Sequence, residues 1–127
     1  MLGLFRRPMS TPPLRPYRIG WYGDEGLGEH LIAAVLSGHK TATASPSYDP
    51  EEGKPGELMV LVDKAGKRHG TVRITHVELR PFAEFDDALA ARLGATLADI
   101  KARSAFANSR PIRPDEEMRI TYFELVK

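Results

Sequence analysis

The stretch Ser37-Gly38-His39-Lys40-Thr41-Ala42-Thr43-Ala44-Ser45 gathers a lysine, an imidazole and several hydroxyls in a short span. A threonine hydroxyl can attack an amide or a phosphodiester when a base removes its proton, and a lysine whose pKa is depressed by burial can be that base. The same groups can also act without any reaction, holding a phosphate or hydrogen-bonding a base or ribose. Thr41, Thr43 and Ser45 alternate with Ala42 and Ala44. In an extended chain that period points three hydroxyls to one side and the alanines to the other. Lys40 would point with the alanines in an ideal strand, but its long stem and the bend at Gly38 leave its direction open. The plainer reading makes Lys40 a cation that complements a helix C-terminus and Thr43 an ordinary strand residue.

The element that positions this stretch lies just upstream. Leu27, Leu31, Ile32, Val35 and Leu36 recur at helical spacing, so one face of a helix is apolar. Gly38 stands where such a helix ends in a left-handed residue, which stops it just before Lys40.

The helix ending in Gly38, Lys40 and Thr43 resembles the Gly-x-Lys-x-x-Thr signature of the ASCH domain, a small β-barrel family related to the PUA fold. The resemblance is carried further by Trp21-Tyr22-Gly23-Asp24, Gly56, Ile74-Thr75-His76-Val77-Glu78 running into Pro81-Phe82, and the ending Tyr122-Phe123-Glu124-Leu125-Val126. It covers roughly residues 19–127 in the family's order. The motif string alone would match many chains by chance, whereas the ordered combination is specific. The resemblance implies an α+β fold: a small mixed PUA-like β-barrel of about five to six strands with flanking helices. In members that hydrolyse the acetyl amide of N4-acetylcytidine, the motif's lysine and second threonine are implicated with a glutamate on a later helix. Carried over by position, these give Lys40 and Thr43. Leu93 or Arg92 stands where the glutamate belongs, and Glu78 and Glu84 are the nearest alternatives. Other members are associated with RNA binding or cleavage. The implied functions are therefore an RNA- or nucleotide-recognising domain with a Lys40/Thr43 cleft, an RNA-cleaving or N4-acetylcytidine-type hydrolase, or a non-catalytic interaction domain. For the hydrolytic case the catalytic set is Lys40, Thr43 and Glu78.

Composition narrows the classes. With 127 residues the chain fits one domain and no separate cofactor domain. Its hydrophobic share of 42% and charged share of 28% are those of a globular protein, and its apolar runs are too short to span a membrane. Without cysteine there is no disulfide or thiol nucleophile. No His/Asp/Glu spacing indicates a metal site, and no glycine loop matches dinucleotide spacing, so no cofactor is expected. Met1-Leu2-Gly3-Leu4-Phe5 precedes Arg6-Arg7, the reverse of a secretory signal, which reads as a cytoplasmic protein. The expected partner is RNA or a nucleoside or nucleotide ligand, with no membrane; the sequence sets no oligomeric state.

The net charge of +1 is unevenly spread. Residues 1–20 hold Arg6, Arg7, Arg15 and Arg18 without an acid, leaving 14 basic against 17 acidic residues in the remainder. A uniformly basic nucleic-acid coat is excluded, so a local patch must hold any phosphate. Prolines at 8, 12, 13 and 16 make residues 1–16 an extended lead-in to a domain over 17–127.

Along that domain, Tyr17, Ile19 and Trp21 alternate as a first strand. Trp21 is either core or a base-stacking ring. A proline-bracketed acidic loop runs from Pro46 to Pro55, and its Tyr48 either anchors the loop or closes over a ligand. Glu57 to Val62 and His69 to Leu79 read as a β-hairpin, with a phase shift that predicts a bulge near His76. Residues 84–94 and 96–106 read as a helical hairpin lid, and Met118 to Val126 as a last strand. The candidate ligand contacts are Trp21, Ser45, Tyr48, Arg73, Arg110, Arg119 and Tyr122, with Arg73 and Tyr122 flooring the cleft. His30 and His76 read as packing residues.

Overall fold

The computed structural model describes residues 13–19, 27–108 and 110–126. Five strands, β1 (Arg15–Arg18), β2 (Ala42–Pro46), β3 (Leu58–Val62), β4 (Arg68–Pro81) and β5 (Glu117–Val126), lie in the spatial order β1-β3-β4-β5-β2. β1 is parallel to β3, and the other neighbouring pairs are antiparallel. Around the sheet are α1 (Leu27–Leu36), a 3-10 turn at Phe82–Glu84, α2 (Asp87–Arg92) and α3 (Leu97–Asn108).

No ladder joins the two edge strands β1 and β2. The expected closed barrel is therefore corrected to an α+β fold on an open five-stranded sheet. The edges themselves give the reason: β1 has four residues, one of them Pro16 without an N–H, and β2 ends at Pro46. Such short edges offer few donors for a last ladder, and an edge is also where a strand tolerates proline.

The sheet has two differently covered faces. Tyr17, Met59, Leu61, Val72, Ile74 and Phe123 fill one face beneath Ile32 and Val35 of α1. Ala42, Met118, Ile120 and Tyr122 fill the other beneath Leu89, Ala90 and Leu93 around α2 and Ile100 of α3. The Tyr17 and Thr43 side chains, from opposite edges, meet over the first face, so the sheet curls toward that side. We call it the concave face and the other the outer face. The α2/α3 pair is thus a packed layer on the outer face, not a lid over Thr43.

Local sequence explains the helix limits. Gly38 ends α1 at φ +85°, as the left-handed position predicts. Asp86 caps α2 by accepting from Leu89 N at 2.8 Å, and Thr96 caps α3 by accepting from Asp99 N at 3.1 Å.

The expected bulge is present in β4. Ile74 opposes Phe123 and His76 opposes Tyr122, leaving Thr75 without a partner. One extra residue exchanges the faces of everything that follows. Val72 and Ile74 point into the concave core, whereas His76, Glu78 and Arg80 stand beside Tyr122, Ile120 and Met118 on the outer face.

Candidate functional site

The residues nominated from sequence divide between the two faces. Register puts Thr43 opposite Thr121 and Ser45 opposite Arg119, alternating with Ala42 and Ala44, which pack outward. Thr43, Ser45 and Arg119 therefore share the concave face, as the period-two pattern predicts for these two hydroxyls; the third, Thr41, precedes the strand and instead accepts from Arg92 at the end of α2. Glu78 and Tyr122 lie on the outer face, and exposed Arg73, alternating with Val72 and Ile74, points away from the concave core. Arg73 and Tyr122 do not floor a cleft at Thr43. Trp21 lies outside the described residues.

Lys40 is 7% exposed, and its Nζ donates to Ala42 O and Leu93 O, both at 2.8 Å. Its stem presses on the end of α2: a Cβ at Gly94 would stand 3.1 Å from Lys40 Cβ, and Gly94 has φ +84°. The neighbouring Thr41 N donates to Arg92 O at 2.8 Å, and Arg92 Nε returns a bond to Thr41 Oγ1 at 2.9 Å. The lysine of the motif thus supplies a cation to the carbonyl end of α2, the helix across from its own.

On the outer face the polar groups satisfy one another. Tyr122 OH donates to Glu78 Oε1, which also accepts from Arg80 at 2.7 Å. The His76 ring stacks on Tyr122 at 4.0 Å, and the Arg92 guanidinium lies 4.8 Å from the same ring. Burial and the Glu78 carboxylate push the Tyr122 phenol up to about 12.

The concave face is arranged differently. Tyr17, fully buried, shares a hydroxyl–hydroxyl hydrogen bond with Thr43 across the open seam, and burial raises its phenol well above the ordinary range. Over this seam runs the segment 47–57, tied by arginine to the edge strand β1 and to β5. Arg119 of β5 donates to Ser47 O at 2.7 Å and Asp49 O at 2.6 Å. Arg15 of β1 donates to Glu52 O at 3.3 Å and forms a forked pair with Glu57 at 2.7 and 2.8 Å. A third tie holds the start of the segment. Arg110 donates to Tyr48 OH at 2.7 Å while paired with Glu116 at 2.9 and 2.7 Å. The nominated Tyr48 and Arg110 therefore bind each other, and Arg119 grips backbone, so all three position the strap.

The strap's middle descends onto the core. A Cβ at Gly53 would fall 2.5 Å from Met59 Sδ and 3.1 Å from Ile74 Cγ1, so any larger residue would have to displace these core side chains. It sets the half-buried Glu52 beside the seam. Desolvation raises the Glu52 carboxyl, opposed by Arg18, Arg15 and Arg119, and its charge in turn acts on the Tyr17 phenol. Among the described residues its carboxylate makes no hydrogen bond or ion pair. Sequence reasoning passed over Glu52, one of two adjacent acids in a loop; the only available sign was Gly53, the small residue that lets the loop descend.

The described residues contain no group of three or more His, Asp or Glu placed to hold a metal ion, and no helix long and apolar enough to cross a membrane. With this geometry in place, the comparisons are specific. The model of the ASCH domain family matches residues 19–127. The crystal structure of protein EF3133 from Enterococcus faecalis V583 superposes with a TM-score of 0.72 at 22% identity, covering 93% of this chain and 83% of that one. The crystal structure of an ASCH domain from Lactobacillus crispatus JV V101 gives 0.68 at 21% identity, covering 81% and 74%. No curated protein matches the sequence.

Proposed function

The chain belongs to the ASCH domain family, and from that premise we propose that it recognises a nucleoside unit, free or within single-stranded RNA, on the concave face of its sheet. One observation carries the reading: the Tyr17 and Thr43 hydroxyls meet across an open seam beneath the 47–57 strap. A hydroxyl both donates and accepts, so the half-buried Thr43 can keep its bond to the fully buried Tyr17 and make a second one to a ribose or base. Ser45 lies one step further along the same face. Arg18, Arg15 and Arg119 together place a positive field around Glu52, which favours a phosphate nearby. Recognition needs no nucleophile. Hydrolysis by Thr43 with Lys40 as base would first require the Lys40 ammonium to leave the Ala42 and Leu93 carbonyls and lose a proton.

The test is a titration of the purified protein with a short single-stranded RNA and with free nucleosides. RNA affinity is expected to fall steeply between about 50 and about 200 mM salt, as released counterions require. Thr43→Val is expected to weaken both ligands by about tenfold while the fold persists. Absence of binding, or binding indifferent to Thr43→Val, overturns the proposal. Turnover of N4-acetylcytidine or RNA that Lys40→Ala abolishes would replace recognition by hydrolysis.

A further inference from the structure

We infer that Glu52 is the ligand-contacting acid of the concave face, and that it selects nucleobases bearing an exocyclic amino group. This inference rests on the nucleoside reading above. The two glutamates considered from sequence, Glu78 and Glu84, do not face the seam. Glu78 is bound to Tyr122 and Arg80 on the outer face, and Glu84 is an exposed residue of the 3-10 turn. Glu52 stands on a loop pinned to β1 and β5, next to a glycine wedged against Met59 and Ile74.

The surroundings define what this carboxylate can do. Arg18 and Arg15 of β1, Asp49 of its own loop and Arg119 of β5 are charged groups whose fields act on it, and its own charge acts on the Tyr17 phenol. Arg15 and Arg119 already hold Glu57 and loop carbonyls. The Glu52 oxygens, without hydrogen bonds among the described residues, are therefore acceptors open to a ligand. A carboxylate accepts from the amino groups of cytosine, adenine or guanine, whereas uracil offers a carbonyl at the corresponding edge. Placing uracil there sets two acceptors against each other in a partly desolvated site, the costly arrangement on which hydrogen-bond selectivity rests.

The experiment titrates wild type, Glu52→Ala and Glu52→Gln with cytidine, adenosine, guanosine and uridine, probes without a phosphate to titrate. Wild type is expected to prefer the amino-bearing nucleosides over uridine by about tenfold, and Glu52→Ala to lose that preference. Because burial raises the Glu52 carboxyl, the preference should shrink as pH falls from about 7.5 to about 5, and Glu52→Gln should show no such dependence. If wild type binds nucleosides but Glu52→Ala keeps the same ranking, or the pH dependence survives in Glu52→Gln, the role of Glu52 is overturned and the concave site stands. If wild type binds no nucleoside and no RNA, the site itself falls, and Glu52 with it.

Discussion

The two faces of the sheet treat their polar residues in opposite ways. On the outer face Lys40 holds two backbone carbonyls, Glu78 holds Tyr122 and Arg80, and Arg92 holds Thr41. These bonds knit β2, β4, β5 and α2 together, so removing a group there leaves its partners unsatisfied in or near the core. On the concave face Thr43 is answered by another hydroxyl, and Glu52 by the fields of arginines bonded elsewhere. On the reading proposed above, Thr43 and Glu52 keep hydrogen-bonding capacity that a ligand can use. Residue type alone does not separate the two roles: the lysine that looks most like a catalytic group spends its ammonium on two backbone carbonyls, while the contacts we propose for a ligand are a neutral hydroxyl and one loop carboxyl.

The largest effect is expected from deleting Thr75. Without the bulge, His76, Glu78 and Arg80 would turn into the concave core and Tyr122 would lose both its stacking partner and its acceptor. Burying that charge should cost about 4 kcal/mol or more, a large part of the roughly 5–15 kcal/mol that holds a domain this size together. Recovery of a folded, equally stable deletion variant would show that the bulge does not divide the faces. Next in size is Lys40→Met, which keeps the stem but strands two carbonyls. Urea denaturation should show a loss of about 3 kcal/mol, and the protein that stays folded should still bind nucleosides. The reverse result, unchanged stability with binding abolished, would move Lys40 into the site and break the contrast between the faces.

Much of this architecture was legible in the sequence. The end of α1 at Gly38, the hairpin of β3 and β4, the phase shift at His76 and the common side of Thr43 and Ser45 follow from periods of 3.6 and 2 with local turn chemistry. What stayed hidden depends on which strands become neighbours. The closed barrel failed at the short, proline-bearing edges of β1 and β2, a matter of long-range pairing. The grouping of Tyr122 and Arg73 with Thr43 failed because the chain order does not say which face each strand presents. Tyr48 and Arg110 are 62 positions apart, and their pairing is invisible to any local pattern. Tyr17, taken only as part of an alternating strand, gained its role solely because the sheet curls edge toward edge.

The smallest effect separates the faces by sign. Two carboxylates that the fold pairs with arginine are stabilising at neutral pH: Glu57 beside Arg15 and Glu116 beside Arg110 are held below the usual range. What they contribute is lost as the pH falls through their lowered pKa values. Glu52 runs the other way. Its carboxyl is raised by desolvation, so the folded chain binds its proton more tightly than the unfolded chain does. Its contribution is present below the unfolded carboxyl pKa and is lost as the pH rises through the folded one. At neutral pH the ionised Glu52 therefore burdens the fold, as an acid retained for binding rather than for structure would. Glu52→Gln should raise the melting temperature at about pH 7.5 by a few degrees at most and change it little at about pH 4. A variant that is less stable than wild type at neutral pH would mean that Glu52 is a structural anchor of the strap, and the concave face would then resemble the outer one.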